Sequence, residues 1–154
     1  MICVPRVLQK TVTKNDYKYM DKARHIAEFS DYGSIRHGCV AVYKGHIIGT
    51  GYNTNKTSPI QYKYNYYREK ENKGKRTYKV DKHLPCLHSE MMCLINTKDI
   101  NIDWSKTAIF IYRENCGNLR NCKPCIACEK ALKDRGIKNI FYTTEKGYNY
   151  LRKE

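Results

Sequence analysis

The chain has 154 residues, 41% of them hydrophobic, enough for one domain with one core and too many for a disordered chain. No apolar run approaches a bilayer span. The opening stretch Met1-Ile2-Cys3-Val4-Pro5-Arg6 also lacks a basic region followed by a long apolar run, so a cytoplasmic protein with no membrane partner is expected. Lys and Arg number 29 against 15 acidic residues, a formal charge of +14 that suits polyanionic partners, and 8 cysteines in a reducing compartment point to metal or free thiols before disulfides.

Residues 16–29 read as the first helix: Met20, Ala23, Ile26 and Ala27 recur at helical spacing, and Asn15 or Asp16 can cap its start. Residues 30–38 read as a polar connection. Residues 39–43 and 47–52 are short β-branched runs separated by the turn signal Lys44-Gly45, which predicts a hairpin. Residues 53–85 are long for a loop and hold nine Lys/Arg, three acids and five Tyr. Within them, residues 55–84 are read as a basic, Tyr-rich insertion or loop of a single domain spanning 1–154, part of which can extend the neighbouring helix. Three readings stay open for it: a nucleic-acid surface, a substrate lid or allosteric nucleotide site, and a solvated loop.

Residues 88–97 form the second predicted helix, and residues 107–112 a central strand in which Ala108, Ile109, Phe110 and Ile111 run without alternation. Residues 124–135 form a third helix, with Pro124 in its first turn and Gly136 as its stop. Residues 137–143 are a strand and residues 148–151 a last, short one. The gap between Thr143 and Tyr148 is too short for a helical crossover, so the last strand is expected to pair antiparallel. Strands alternating with helices predict an α/β layered domain with a partly parallel sheet.

Two short patterns carry chemistry: His88-Ser89-Glu90 and Pro124-Cys125-Ile126-Ala127-Cys128, each at a predicted helix start. Cys125 and Cys128, three apart, share a helix face and can grip one ion. A helix N-terminus favours thiolate. His88 is a third ligand of suitable softness for Zn²⁺, and three protein ligands leave a fourth position for water, the layout of a catalytic zinc. Two thiolates and a neutral imidazole cancel the charge of the ion, so its water is acidified weakly and a carboxylate must move the proton; Glu90 is the candidate. Residues two apart do not share a helix face, so His88 and Glu90 serve one site only if the helix end points at the metal. A structural zinc knot of Cys116, Cys122, Cys125 and Cys128 is the competing reading, and Cys122-Lys123-Pro124-Cys125 is also a CxxC. The knot leaves His88 and Glu90 without a role. Arg113 and Arg120 flank the motif loop and can meet a substrate phosphate, with nothing fixing their direction. His25, His37 and His46 are given no role.

These two motifs together resemble those of the cytidine/deoxycytidylate deaminase superfamily, the zinc-dependent nucleobase deaminases. The resemblance extends to residues 23–30, to Arg36-His37-Gly38-Cys39-Val40-Ala41-Val42, to Gly49-Thr50-Gly51-Tyr52-Asn53 and to Gly136-Ile137-Lys138-Asn139-Ile140. It covers the chain from about Lys18 to Tyr142. It implies a three-layer α/β/α domain with a mixed central sheet of about five strands. It also implies a Zn²⁺ cofactor on His88, Cys125 and Cys128, Glu90 as proton shuttle and Asn53 as a sugar contact; a turn-forming role is the plainer alternative for Asn53. The common family tripeptide is His-Ala-Glu, whereas this chain has Ser89. Some members are thought to carry a second, structural zinc, which His83, Cys86 and Cys93 could join here; small buried thiols are the alternative. The implied substrate is a cytosine base in a free nucleotide or nucleoside, deaminated hydrolytically, and a homo-oligomer is expected. Single-stranded DNA or RNA is the alternative substrate. Polynucleotide deaminases typically insert a helix before a parallel last strand, and this chain is too short there to do so.

Overall fold

In the computed structural model, which describes residues 13–72 and 86–152, Thr13 starts the first helix, α1 (Lys14–Ala27). Its hydroxyl accepts from the Asp16 backbone N–H while the Asp16 carboxylate accepts from the Thr13 N–H, a reciprocal capping box. Asp16 is therefore the third helical residue and not the cap. Strand β1 (Ile35–Tyr43) turns through Lys44 and Gly45 into β2 (His46–Tyr52). Both turn residues have positive φ, 49° and 79°, the type I′ geometry whose twist matches a tight hairpin. β1 begins at Ile35, inside the segment read as polar connection, because its early residues find partners along β3: Ile35 sits opposite Asn115 and His37 opposite Arg113.

The segment after β2, expected to be a long insertion or loop, holds a separate helix, α2 (Pro59–Asn72). Pro59 stands first, where a missing N–H costs nothing, and Ser58 Oγ accepts from the Gln61 N–H. Its packed face is Ile60, Tyr64 and Tyr67, spaced i, i+4, i+7. Two of those three positions are tyrosine, so the stripe does not stand out against the surrounding tyrosines and lysines. Residues 73–84 of the insertion, including His83, lie outside the described residues.

Helix α3 (Ser89–Asn96) and a short 3₁₀ turn (Trp104–Lys106) lead to β3 (Thr107–Asn115), which doubles back through Cys116-Gly117 into the two-residue β4 (Asn118–Leu119). α4 (Ile126–Arg135) ends at Gly136, which takes φ 97° and receives the left-handed cap expected of it. Pro124 lies just before that helix and not within it. β5 (Asn139–Thr144) and β6 (Gly147–Arg152) complete the sheet.

The strands order as β2-β1-β3-β5-β6, with β4 on the end of β3. Only β3 and β5 are parallel, joined by the crossover through α4; β6 returns antiparallel to β5, as its short connection requires. Alternation along the central strands divides the core in two. Val40, Val42, Phe110, Tyr112 and Phe141 face α1, against Met20, Ala23 and Ala27. Cys39, Ala41, Ile109, Ile111 and Ile140 face the other way, against Met91 and Leu94 of α3 and Ala131 and Leu132 of α4. The result is a three-layer α/β/α domain with a mixed sheet. No helix among the described residues is long and apolar enough to cross a membrane.

Two glycines set how closely the layers approach. A Cβ on Gly38 would strike the carbonyl oxygen of Ala23 in α1, and one on Gly51 would strike the Ser89 carbonyl oxygen and the Cys93 nitrogen in α3. These are backbone atoms and cannot swing aside. Gly51→Ala should therefore lower stability by about 3 kcal/mol, at the upper end of ordinary overpacking, as read by urea denaturation. A loss below about 1 kcal/mol would show that α3 can move off the sheet without cost.

Candidate active site

Two helix N-termini meet on the α3/α4 side of the sheet. His88 is the N-cap of α3 in an extended conformation, and Glu90 lies in that helix's first turn. Cys125 is the N-cap of α4, and Cys128 is in its first turn. His88 Nδ1 lies 3.3 Å from Cys128 Sγ and 3.6 Å from Cys125 Sγ. Zinc–sulfur bonds of about 2.3 Å and zinc–nitrogen bonds of about 2.0 Å at tetrahedral angles separate N from S by about 3.5 Å, so these distances fit one ion. The three donor atoms lie within 4.8 Å of one another, and no other such group of His, Cys, Asp or Glu occurs among the described residues.

The geometric condition on Glu90 is met because the helix end, not its flank, faces the donors. His88 sits outside the helix and Glu90 inside it, where Cys125, burial and the Glu90 charge together raise the Cys128 thiol. Glu90 is only 4% exposed. Burial raises its pKa above the ordinary carboxylate value, and the Cys125 thiolate adds to this, while His88 works in the opposite sense. The buried Ser89 hydroxyl donates to Glu90 Oε1 at 2.8 Å, so the serine that replaces the common alanine holds the carboxylate.

The donors are electrostatically paired. A hydrogen bond from the Cys128 thiol brings Cys125 down to about 3, against burial and with help from His88. Burial works against charge on His88, but its hydrogen bonds with Cys125 and Cys86 prevail and carry it up to about 10. Cys128, bonded to that thiolate and fully buried, is raised.

The other cysteines are placed elsewhere. Cys122 Sγ donates to the Ile111 carbonyl oxygen at 2.9 Å and accepts from the Thr143 N–H at 3.2 Å, and burial pushes its thiol up to about 12. It ties the ends of β3 and β5 together. Cys116 is exposed in the β3–β4 turn, so the structure does not assemble the four-cysteine knot. Cys93 is buried beside Cys39, and Cys86 lines the cavity described next.

A cavity of about 220 Å³ opens beside His88. Asn53 lines it, but both ends of its amide already serve the fold: Oδ1 accepts from the His37 N–H at 2.8 Å and Nδ2 donates to the Ile35 carbonyl at 2.9 Å. One amide hydrogen and one lone pair are left over from these two bonds. His37, given no role from the sequence, also faces the cavity; burial first, then Arg113 and His88, lowers its pKa to about 3 and keeps it neutral.

α2 supplies residues that the sequence reading missed. Asn65 and Arg68 line the cavity. Gln61, completely buried, accepts from the His88 N–H through Oε1 at 3.0 Å and donates to Asn65 Oδ1 at 2.9 Å. The insertion thus holds the backbone of the histidine at the donor cluster. The one sequence signal for this was the Ile60, Tyr64, Tyr67 spacing.

The profile of the cytidine and deoxycytidylate deaminase zinc-binding region matches residues 13–144. Comparison with curated protein sequences returns no match. Among solved structures the fold is similar to dCMP deaminase from the cyanophage S-TIM5, with TM-score 0.54 and 20% identity over 83% of this chain and 81% of that one. It is also similar to cytidine deaminase from Burkholderia pseudomallei, with TM-score 0.55 and 15% identity over 88% and 91% of the two chains. The profile spans the described sheet up to β5, all the donors and Glu90, and at these identities the two structures add the fold. The chain belongs to the cytidine and deoxycytidylate deaminase zinc-binding family.

Proposed function

We propose that this protein is a zinc-dependent hydrolase that converts a cytosine base to uracil, releasing ammonia, and that its substrate is a free nucleotide or nucleoside. The observation that carries the reading is the His88, Cys125 and Cys128 donor set with the buried carboxyl of Glu90 against it. Zinc on these three donors supplies an open fourth position and Lewis acidity.

The rest of the chemistry belongs to the chain. Glu90 carries one proton from the attacking water to the ring nitrogen, and then a second, from the hydroxyl now on the ring carbon, to the departing amine, which leaves as ammonia. A carboxyl whose pKa is raised by burial suits both halves of that task, since it must hold a proton between them. The Ser89 hydroxyl keeps Oε1 in place, and Gln61 keeps the His88 backbone in place. Asn53 shapes the cavity wall through β1 and keeps one donor and one acceptor site for the sugar. The antiparallel β6, with its two-residue turn, supports a free substrate over single-stranded DNA or RNA.

The test is ammonia release from the zinc-loaded protein on cytosine, adenine and guanine nucleosides, nucleotides and oligonucleotides. Turnover should be confined to cytosine monomers. Turnover of a purine, or of oligonucleotides in preference to monomers, would replace this reading with another member activity of the same metal chemistry.

A further inference from the structure

The two helices that carry the donors start without side-chain caps. His88 and Cys125 stand at the N-cap positions of α3 and α4, and neither side chain caps its helix. An N-cap side chain ordinarily takes one of the orphan N–H groups. Here the imidazole and the sulfur are turned to each other instead. The third helical residue of α3 is Met91, which is apolar and cannot reach back to the His88 N–H as a glutamate does in a capping box. That N–H is left without a partner unless another element supplies an acceptor, and an unmade bond there is costly.

The acceptor comes from α2. Gln61 Oε1 takes the His88 N–H at 3.0 Å, and Gln61 Nε2 donates to Asn65 Oδ1, one turn on, at 2.9 Å. The sense of this chain is forced: a backbone N–H only donates, so Gln61 turns its oxygen to His88 and its nitrogen to Asn65. Gln61 is completely buried, with both ends of its amide engaged. The same helix also holds α4. The Tyr64 hydroxyl donates to Asp134 Oδ2 at 2.8 Å, and the Lys130 ammonium lies 5.6 Å from the centre of the Tyr67 ring. Arg135 joins α3 and α4 at their far ends, donating to the Leu94 carbonyl and the Thr97 hydroxyl. A metal site gains affinity when its donors are held in place before the ion arrives, since less ordering is left to binding.

Resting on the zinc-centre reading above, we infer that α2 is a clamp on the metal site. Gln61 is a positioning residue that acts through the His88 backbone, and Tyr64 is the hold by which α2 keeps the start of α3 against α4. The helix inserted between β2 and α3 is then part of what retains the ion, although α2 itself supplies none of the three donors.

The experiment measures zinc affinity by competition with a chromophoric chelator, and the cobalt(II) spectrum at saturation, in the whole chain as wild type, Gln61→Met, Gln61→Glu and Tyr64→Phe. Gln61→Met keeps the length of the side chain and loses the acceptor. Its zinc affinity should fall about 10-fold or more, the scale for removing an outer partner of a metal ligand, and its cobalt d–d bands should shift as His88 loses its seat. Gln61→Glu offers the His88 N–H an acceptor in either protonation state, so its affinity should return to within about threefold of wild type, and the spectrum with it. Tyr64→Phe loses one hydroxyl bond to α4 and should weaken zinc roughly threefold. A variant that only folds less well gives the wild-type cobalt spectrum once saturated. The clamp is overturned by a wild-type spectrum in Gln61→Met, by unchanged zinc affinity in Gln61→Met or Tyr64→Phe, or by a Gln61→Glu as weak as Gln61→Met. If Gln61→Met does not fold, Tyr64→Phe decides by the same criterion. None of these readouts uses turnover, so a protein that holds zinc as expected and deaminates nothing fails the proposed function alone, whereas a wild type that takes up no zinc overturns both.

Discussion

Replacing Glu90 with glutamine should reduce turnover by about 10³-fold or more while leaving the metal content of the protein unchanged. Glutamine has the size and one carbonyl oxygen of the original, so it still accepts the Ser89 hydroxyl bond and still fills a site that is 4% exposed. What it loses is the ability to carry a proton. The expected loss is large because of charge. Two thiolates and an imidazole neutralise a divalent ion, so water at that ion is less acidic than in an all-histidine site, and the proton must go to a base close by. The described structure supplies one such base against the donors. Ammonia release and metal analysis on the same preparation check both halves. Near-normal turnover would remove Glu90 from the mechanism, and loss of metal would make it a ligand.

Cys128→Ser should lose the metal, and with it all measurable activity, whereas Cys122→Ser should keep its metal. Cys128 is fully buried in the first turn of α4, 3.3 Å from His88 Nδ1. A serine hydroxyl there is a harder and weaker ligand than a thiolate. Its removal also leaves His88, Cys125 and Glu90 buried without the group that brings them together. Cys122 belongs to the neighbouring CxxC, but its sulfur is committed to the Ile111 carbonyl and the Thr143 N–H. The pair of variants thus separates the His88, Cys125, Cys128 site from the cysteine knot. Metal stoichiometry should be about one per chain in the wild type and near zero in Cys128→Ser. A chelator should lower the Tm of the wild type and of Cys122→Ser but not that of Cys128→Ser, since binding to the native state alone stabilises it by mass action. The reverse pattern would place the metal on the knot.

Local signals carried much of the fold. The hairpin turn at Lys44-Gly45, the helix stop at Gly136 and the antiparallel return of β6 depend on one to three neighbouring residues and their φ preferences, and the structure has all three. Ala108 to Ile111 read as a doubly covered strand because apolar side chains on both faces are needed between two helical layers, and Ile109 and Phe110 face opposite clusters. The errors have the opposite cause. Ile35 to Gly38 have polar neighbours and become strand only because β3 lies alongside. α2 is not legible in the sequence because tyrosines do the packing that leucines usually do, and tyrosine in a run of tyrosines and lysines carries no period.

The chemistry divides along the same line. By residue type and spacing alone, the sequence determined which atoms suit a soft divalent ion, those of His88, Cys125 and Cys128, and which carboxylate stands at the same helix start, that of Glu90, proposed to move the proton; ligand softness and helix-start position are local properties. The tertiary structure alone decided that His88, some 40 residues from Cys125 and Cys128, comes within bonding range of both. It decided that Cys122 turns to the backbone, that Ser89 grips Glu90, that Gln61 of an unforeseen helix holds His88, and that Arg113 lies in the cavity wall with an unpaired N–H. Each of these depends on where a side chain points after layers pack as closely as Gly38 and Gly51 allow. Direction is a property of long-range packing, and no short window of sequence contains it.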